Sequence, residues 1–381
     1  MNRNSSKIRR LLLAITTAIL VISCLEVAAR TQLTPTATQT AGIFEHDPDK
    51  VFRLKANHSG QYVNQPVQTN ARGHRDNPIE NEASPGTKRV LVIGDSISFG
   101  HGVKAEETWP ALLEERLKSQ SNAVEIINTS APGNGPMQEY YDLKRSLSLQ
   151  PDLVILQVTL NDVVEPFLFL RRLGGSGLDY HGVEDVSKLH SLLQDKSALY
   201  LWLRSAILNI GLLGTPGKTP SERAAHEENY ATSKLIDQPE DPKILAAWEE
   251  AMRWLTKISK TTQSQDVPLL VLISPFRFQL SRPPSSAHPQ ARFSAFCTTN
   301  GHTCVDLLHT LQAEFVASQL GPPWEMEQPL ETRIQQLRER NTHAFDAFWR
   351  NYFLDHDHYN QQGHKLVSEL LTTQVNLLLD G

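Results

Sequence analysis

Five short apolar runs, each separated from the next by enough chain for a helix, constrain the fold of this chain more than any other feature. They are Arg89 to Ile93, Val124 to Ile127, Asp152 to Val158, Pro268 to Ser274 and Thr303 to Asp306. The third reads DLVILQV, apolar throughout rather than alternating, as parallel strands covered on both faces tend to be. Amphipathic stretches lie between them: Thr108 to Lys118 with Trp109, Leu112, Leu113 and Leu117 at helical spacing, Met137 to Leu149, and Pro242 to Thr261 with Ala246, Ala247, Met252, Leu255 and Ile258. Strands joined by such crossovers pair in parallel, so the expected fold is α/β, a doubly wound, mostly parallel five-stranded sheet.

One interval breaks the rhythm. Glu165 to Gln263, about a hundred residues between the third and fourth runs, is far longer than a crossover needs. Only its end reads as the crossover helix, which leaves a helical insertion at about 166–241. Leu192 to Leu213 is strongly apolar and Thr215 to Glu240 is polar. The insertion is either a cap over the functional face that shapes access or a helical pair packed on the sheet edge.

The amino-terminal 86 residues carry a different signal. Lys7, Arg9 and Arg10 precede an uncharged apolar run from Leu11 to Leu25, closed by Glu26 and Arg30, the order of an export signal. The run is shorter than the ~20 apolar residues that span a bilayer comfortably. Three alternatives stand: a retained anchor helix, cleavage after Ala29, or lipidation of Cys24 in the lipobox-like Val21-Ile22-Ser23-Cys24. All three direct the chain beyond about residue 30 outside the cytoplasm. The expected divisions are a signal or membrane-anchor segment at 1–30, a tether and leader at 31–86, and the main domain at 87–381. Thr31 to Gly42 reads as flexible tether; Phe44 to Asp76 mixes turns with short extended pieces and is expected to pack across the main domain's edge. A net charge of −5 carries no basic excess, which excludes a nucleic-acid footprint. No HExxH or Cys-x-x-Cys pair points to a metal. With Cys24 in the export segment, Cys297 and Cys304 form an even pair across a short turn and are expected to be bridged.

Residues able to do chemistry collect at the carboxyl ends of the runs, where open α/β sheets bind ligands. Gly94-Asp95-Ser96 ends the first. Alone it is an ordinary turn sequence, but a serine there can use its own N–H to hold an oxyanion. Asn128-Thr-Ser-Ala-Pro-Gly133-Asn-Gly135 follows the second run, and Asn161-Asp162 the third. Near the end come Asp355-His356-Asp357-His358 and His364. Asp355 and His358 are three apart, so one turn lets the carboxylate fix the imidazole's tautomer. Asp95 is expected to accept turn N–H groups, Asp162 to cap the segment after it, and His356 to point off the Asp355 face.

These four blocks, in this order, resemble the SGNH hydrolase (GDSL esterase/lipase) superfamily from Lys88 to the carboxyl terminus, the insertion excepted. The resemblance implies a flavodoxin-like sheet, with Ser96 as nucleophile, Ser96, Gly133 and Asn161 as oxyanion donors, Asp355 and His358 as the Asp-x-x-His pair, and no cofactor. It implies acyl or acetyl esters on carbohydrate or lipid as substrates. The third block departs from the family's Gly-x-Asn-Asp: here it is Thr159-Leu160-Asn161-Asp162, which keeps the amide and loses the glycine. Phe52 to Lys55 and Asn70 to Arg75 also resemble the leader of anchored bacterial members. The rival expectation is a non-catalytic module that binds or assembles envelope polysaccharide. The presence of Ser96, Asn161, Asp355 and His358 together favours catalysis.

Overall fold

The structure is a computed structural model that describes residues 3–32, 43–120, 123–164, 197, 199, 232–282, 286–320, 329–340 and 347–380. Helix α1 runs Arg3–Gln32. Leu13, Ile19, Leu20 and Val27 are exposed along it. Among the described residues no helix is long and apolar enough to cross a membrane.

The leader forms two antiparallel hairpins, β1 (Phe44–Asp47) with β2 (Val51–Leu54), and β3 (Ser59–Tyr62) with β4 (Gln65–Gln68). The second closes with Val63 at φ 47 and Asn64 at φ 62 between the paired Tyr62 and Gln65, a two-residue turn with both central φ positive. The leader does pack on the main domain, and more firmly than an edge contact. Lys50, 2% exposed, is paired at 2.6 Å with the buried Asp142, and Arg145 grips Asp47 at 2.6 Å.

The main sheet holds β5 (Lys88–Ile93), β6 (Val124–Asn128), β7 (Leu153–Val158), β8 (Leu269–Ile273) and β9 (Thr303–Asp306) in the spatial order β6-β5-β7-β8-β9, every pairing parallel. Alternation along each strand divides the core in two. Val90, Val92, Leu153, Ile155, Leu270 and Leu272 face one layer, which contains α3 (Trp109–Ser119); Leu91, Ile93, Val154, Leu156, Val158 and Val271 face the other. That other layer contains α4 (Pro136–Ser146) and α5 (Pro242–Gln263). Continuous apolar strands therefore follow from burial on both faces. The helix expected over Met137 to Leu149 instead starts at Pro136, whose fixed φ suits a first turn, and tightens into a 3₁₀ turn over Leu147–Leu149.

Past β8 come α6 (Arg277–Leu280), α7 (His288–Asn300), α8 (Leu307–Leu320), α9 (Leu330–Arg340) and a closing α10 (Gln361–Asp380). The sequence reading has no counterpart for α8 and α9, whose Leu307, Leu311, Phe315 and Ile334 join the first core layer. The insertion expected at 166–241 lies outside the described residues up to 231, apart from residues 197 and 199. The expected tether lies outside them from 33 to 42, and Gln32 is still helical.

Because β5 has β6 on one side and β7 on the other, the chain reverses its direction of winding at β5. Crossovers leave such a strand toward opposite faces and open a crevice at its carboxyl end. Ser96 sits there.

Candidate active site

Ser96 begins α2 (Ser96–Phe99), a helix of four residues in the turn after β5. Asp95 caps it, its Oδ1 accepting the Ile97 N–H at 2.8 Å, which bears out the role expected of that carboxyl. Gly100 ends it at φ 87, and a Cβ there would lie 2.3 Å from Thr108 Cγ2, so only glycine fits. The buried Arg75 of the leader locks this end: its guanidinium donates to the carbonyls of Phe99 at 3.1 Å, Gly100 at 3.0 Å and Val103 at 2.9 Å.

The turn before α10 brings the distant residues in. Asp355 Oδ1 accepts the N–H groups of Asp357 at 3.1 Å and His358 at 3.0 Å. This is an Asx-type turn rather than a helical one, and it still puts both side chains on one side. His358 Nδ1 lies 2.8 Å from Asp355 Oδ2, and its Nε2 lies 2.8 Å from Ser96 Oγ. Ser96 and His358 are both buried, at 7% and 9% exposure. The structure therefore assembles Ser96, His358 and Asp355 in one hydrogen-bonded line, 262 residues apart in sequence at its longest step.

The other expected residues lie in loops tied to Gly94 and Asp95, just before the serine. Gly133 takes φ 76, and its loop returns to β5 through the Ala131 N–H to Gly94 carbonyl contact at 3.4 Å. Asn134 anchors the same loop, donating to the Gly94 carbonyl at 3.1 Å and to Asp142 at 2.9 Å. Asn161 donates from Nδ2 to Asp95 Oδ2 at 3.3 Å. Thr159, which stands where a glycine was expected, is fully buried just beyond β7, and its N–H is taken by Asp162 Oδ2 at 2.6 Å. Asp162 thus folds back on the residues before it instead of capping those after it.

His364 is buried and accepts the Trp109 N–H on Nδ1 at 3.1 Å, a structural bond at the start of α3. His356, expected to point off the Asp355 face, turns its Nε2 to within 3.3 Å of Asp357 Oδ1, while its Nδ1 stays 3.9 Å from Asp355 Oδ1. The contact to Ser96 Oγ nevertheless comes from His358.

Four residues that sequence reasoning missed belong here as well. They are Arg75; Asp357, 1% exposed and 3.0 Å from His358 Nδ1; His101, whose ring stacks on that of His358; and Tyr62, bonded to His101. His101 lies in the same FGHGV run that carries Gly100, and a histidine one turn beyond the serine was the signal available.

Electrostatics separate the acids. Burial disfavours the imidazolium of His358, but the Asp357 and Asp355 carboxylates outweigh it and raise its pKa well above 6.5. Asp355 moves the opposite way: burial opposes its charge, yet His358 and the turn's N–H groups hold it far below the ordinary carboxylate value. Asp95 is pushed up to about 6, chiefly by burial and then by the charge of Asp357. Among the described residues two groups hold ligand atoms within 4.8 Å of one another, His101-Asp355-His358 and Asp355-His356-Asp357. Both rely on Asp355, whose oxygens already face His358 and two backbone N–H groups.

The profile of the GDSL-like Lipase/Acylhydrolase family matches residues 92–366. An arylesterase of Vibrio mimicus is 34% identical over 86 residues, 22% of this chain and 43% of that protein. Thioesterase 1/protease 1/lysophospholipase L1 of Escherichia coli (strain K12) is 32% identical over 79 residues, 20% of this chain and 36% of that protein. The chain thus spans under half the length of these curated relatives. Among solved structures, the psychrotrophic esterase EstA from Pseudoalteromonas sp. overlaps 77% of this chain and 100% of its own, at 13% identity and a TM-score of 0.38. With a family match over residues 92–366, most of its length, the chain belongs to the GDSL-like lipase/acylhydrolase family.

Proposed function

We propose that this chain is an extracytoplasmic serine ester hydrolase, or an acyl transferase using the same machinery, acting on acyl or acetyl esters of carbohydrate or lipid. The observation that carries the reading is the 2.8 Å contact between Ser96 Oγ and His358 Nε2, with Nδ1 of the same ring held by Asp355. In this arrangement neutral His358 takes the Ser96 proton as Oγ attacks the ester carbonyl, and the imidazolium then gives that proton to the leaving alkoxide. Asp355 fixes the tautomer that leaves Nε2 free to accept, and it stabilises the imidazolium. Water, or a second alcohol in the transferase case, then attacks the acyl-serine and regenerates the hydroxyl.

The oxyanion is held by the Ser96 and Gly133 N–H groups and by the Asn161 amide. The Asn161 Nδ2 carries two hydrogens, and its contact to Asp95 engages one, leaving the other for the substrate oxygen. These steps use protein groups alone. The relatives' named activities, arylesterase, thioesterase and lysophospholipase, belong to the same acyl-transfer chemistry.

Location outside the cytoplasm rests on the basic-then-apolar order of residues 7–25, and attachment to the membrane on α1 or on a lipid at Cys24, which is exposed and unbridged. The decisive experiment is reaction of the purified full chain with a fluorophosphonate probe, followed by peptide mapping. Labelling at Ser96, lost on denaturation before exposure, is the expected result. Failure of the folded protein to label hands the case to the polysaccharide-binding alternative.

A further inference from the structure

The imidazole of His358 is held by more than its two edge contacts. The ring of His101 lies against its face, centroids 3.8 Å apart and planes within 13°. His101 follows directly from the serine's own turn, its N–H donating to the Ser96 carbonyl at 3.0 Å. Arg75 pins the carbonyls of Phe99, Gly100 and Val103 on either side of it, so the backbone that presents His101 has little freedom. On its far side, Tyr62 Oη lies 3.2 Å from His101 Nδ1, and the Tyr62 ring meets His101 edge-on at 5.3 Å and Phe99 edge-on at 5.5 Å. Tyr62 is 5% exposed and ends β3. Behind it the hairpin turns through Val63 at φ 47, a left-handed conformation that a β-branched residue adopts only at a cost.

We propose that Tyr62 and His101 are positioning residues for His358: the leader hairpin, through Tyr62, holds the His101 ring as a platform that fixes the plane in which the His358 imidazole moves its proton. This rests on the ester-hydrolase reading given above. Asp355 constrains one edge of the His358 ring, but a line of contacts through Nδ1 and Nε2 leaves the ring able to roll about that line. A flat neighbour at stacking distance on one face removes this freedom. The Tyr62 Oη contact to His101 Nδ1 at 3.2 Å holds the His101 ring in the plane that stacks on His358. The leader hairpin, outside the 92–366 family match, thereby supplies a working part of the site.

The test compares His101→Ala, His101→Phe and Tyr62→Phe in the full-length protein. It uses steady-state hydrolysis of a nitrophenyl acyl ester and the proton resonance of His358 Cε1–H in histidine-labelled protein. His101→Ala is expected to lower kcat about tenfold with KM within about twofold, since a misaligned proton acceptor acts on the transition state alone. His101→Phe keeps a flat ring and is expected to recover most of the loss. Tyr62→Phe loses only the hydroxyl and is expected to cost a few-fold. The His358 resonance should shift downfield when His101→Ala removes the ring current, and should stay near its wild-type position in His101→Phe. Wild-type kcat in His101→Ala, a change confined to KM, or no recovery in a folded His101→Phe overturns the proposal. If His101→Ala fails to fold, Tyr62→Phe and His101→Phe decide it by the same two readings. If the wild-type protein hydrolyses no ester, the functional reading fails by itself; the resonance then decides whether His101 positions His358, and an unmoved resonance in His101→Ala refutes it.

Discussion

Asp357 Oδ1 lies 3.0 Å from His358 Nδ1, the same nitrogen that Asp355 holds at 2.8 Å. The two carboxylates are not equivalent. Asp355 accepts in good alignment and is the more exposed, at 36% for its side chain, whereas Asp357 is buried and its Oδ1 lies outside hydrogen-bond geometry. Asp355 therefore orients the imidazole and Asp357 acts on it chiefly through its charge.

That division gives a prediction in pH. His358 must be neutral to take the serine proton, and its pKa is raised well above 6.5 because the Asp357 and Asp355 charges outweigh burial. Activity is expected to fall as pH drops through the raised value, so the acid limb of kcat/KM lies on the alkaline side of an ordinary histidine. Asp357→Asn removes one charge and should move that limb toward lower pH, with little change in the plateau. Asp355→Asn loses the orienting acceptor and should lower the plateau itself by on the order of a thousandfold. If the pH–rate profiles show the two effects exchanged, the roles assigned to the two aspartates are wrong.

The oxyanion assignment is tested by Asn161→Ala beside Ser96→Ala, His358→Ala and His356→Ala. Losing one preorganised donor is expected to lower kcat by about a hundredfold or more while KM barely changes. The Ser96 and His358 variants should fall to background, because nucleophile and base act as one unit. His356→Ala should keep most activity. A KM effect without a kcat effect at Asn161 would make it a substrate-binding residue.

How much of this was legible follows from what each residue depends on. Ser96, Gly133 and Asn161 stand in turns of Gly, Asp, Asn or Ser that follow apolar runs, and Asp355 and His358 stand in an Asp-x-x-His spacing, so the order of these local blocks carries the family resemblance that gives them their roles. The five strands were legible locally, each being an apolar run bounded by breakers. Tyr62, Arg75 and Asp357 carry no such local mark: Tyr62 and Arg75 reach the site only because the leader folds back over α2, and Asp357 faces His358 only because of the Asx turn at Asp355. Leu307, Leu311 and Phe315 repeat at helical spacing, so α8 is legible in the sequence directly after the strand at Thr303 to Asp306.

The attachment of the leader predicts a large stability effect far from the serine. Lys50 and Asp142 are a buried pair at 2.6 Å, and Asn134 spans from Asp142 to the Gly94 carbonyl. Removing one partner of a buried pair costs about 3–5 kcal/mol, because the other charge is left without compensation. Lys50→Met is expected to lower unfolding stability by that order in denaturant titration at neutral pH. Burial already raises the Asp142 carboxyl above 3.8 against the pull of Lys50, and without Lys50 it rises further. A raised folded-state value favours folding at low pH and costs stability as pH climbs through it, so the penalty should shrink as the titration is repeated at more acidic pH. A penalty that is small and independent of pH would mean that the pair is solvated.

Cys297 and Cys304 are joined, their Cα atoms 6.0 Å apart, which places a covalent link between the end of α7 and the start of β9. The geometry arises locally. α7 stops at Gly301, which takes φ 70, and the His302 N–H returns to the Cys297 carbonyl at 2.9 Å, so the chain reverses within one turn and brings the two side chains together. Cys304 then pairs with Val271 in the sheet, so the bridge fastens the edge strand rather than the centre. Closing a loop of 7 residues contributes no more than about 3 kcal/mol, and the double substitution to alanine is expected to lower stability by up to that amount while leaving esterase activity in place. Mass spectrometry of the denatured, unreduced protein should find a Cys297–Cys304 peptide pair resistant to alkylation. An oxidised pair in protein taken from its native compartment also supports export, since the cytosol keeps such thiols reduced. Two alkylatable thiols at those positions would remove both the bridge and that support.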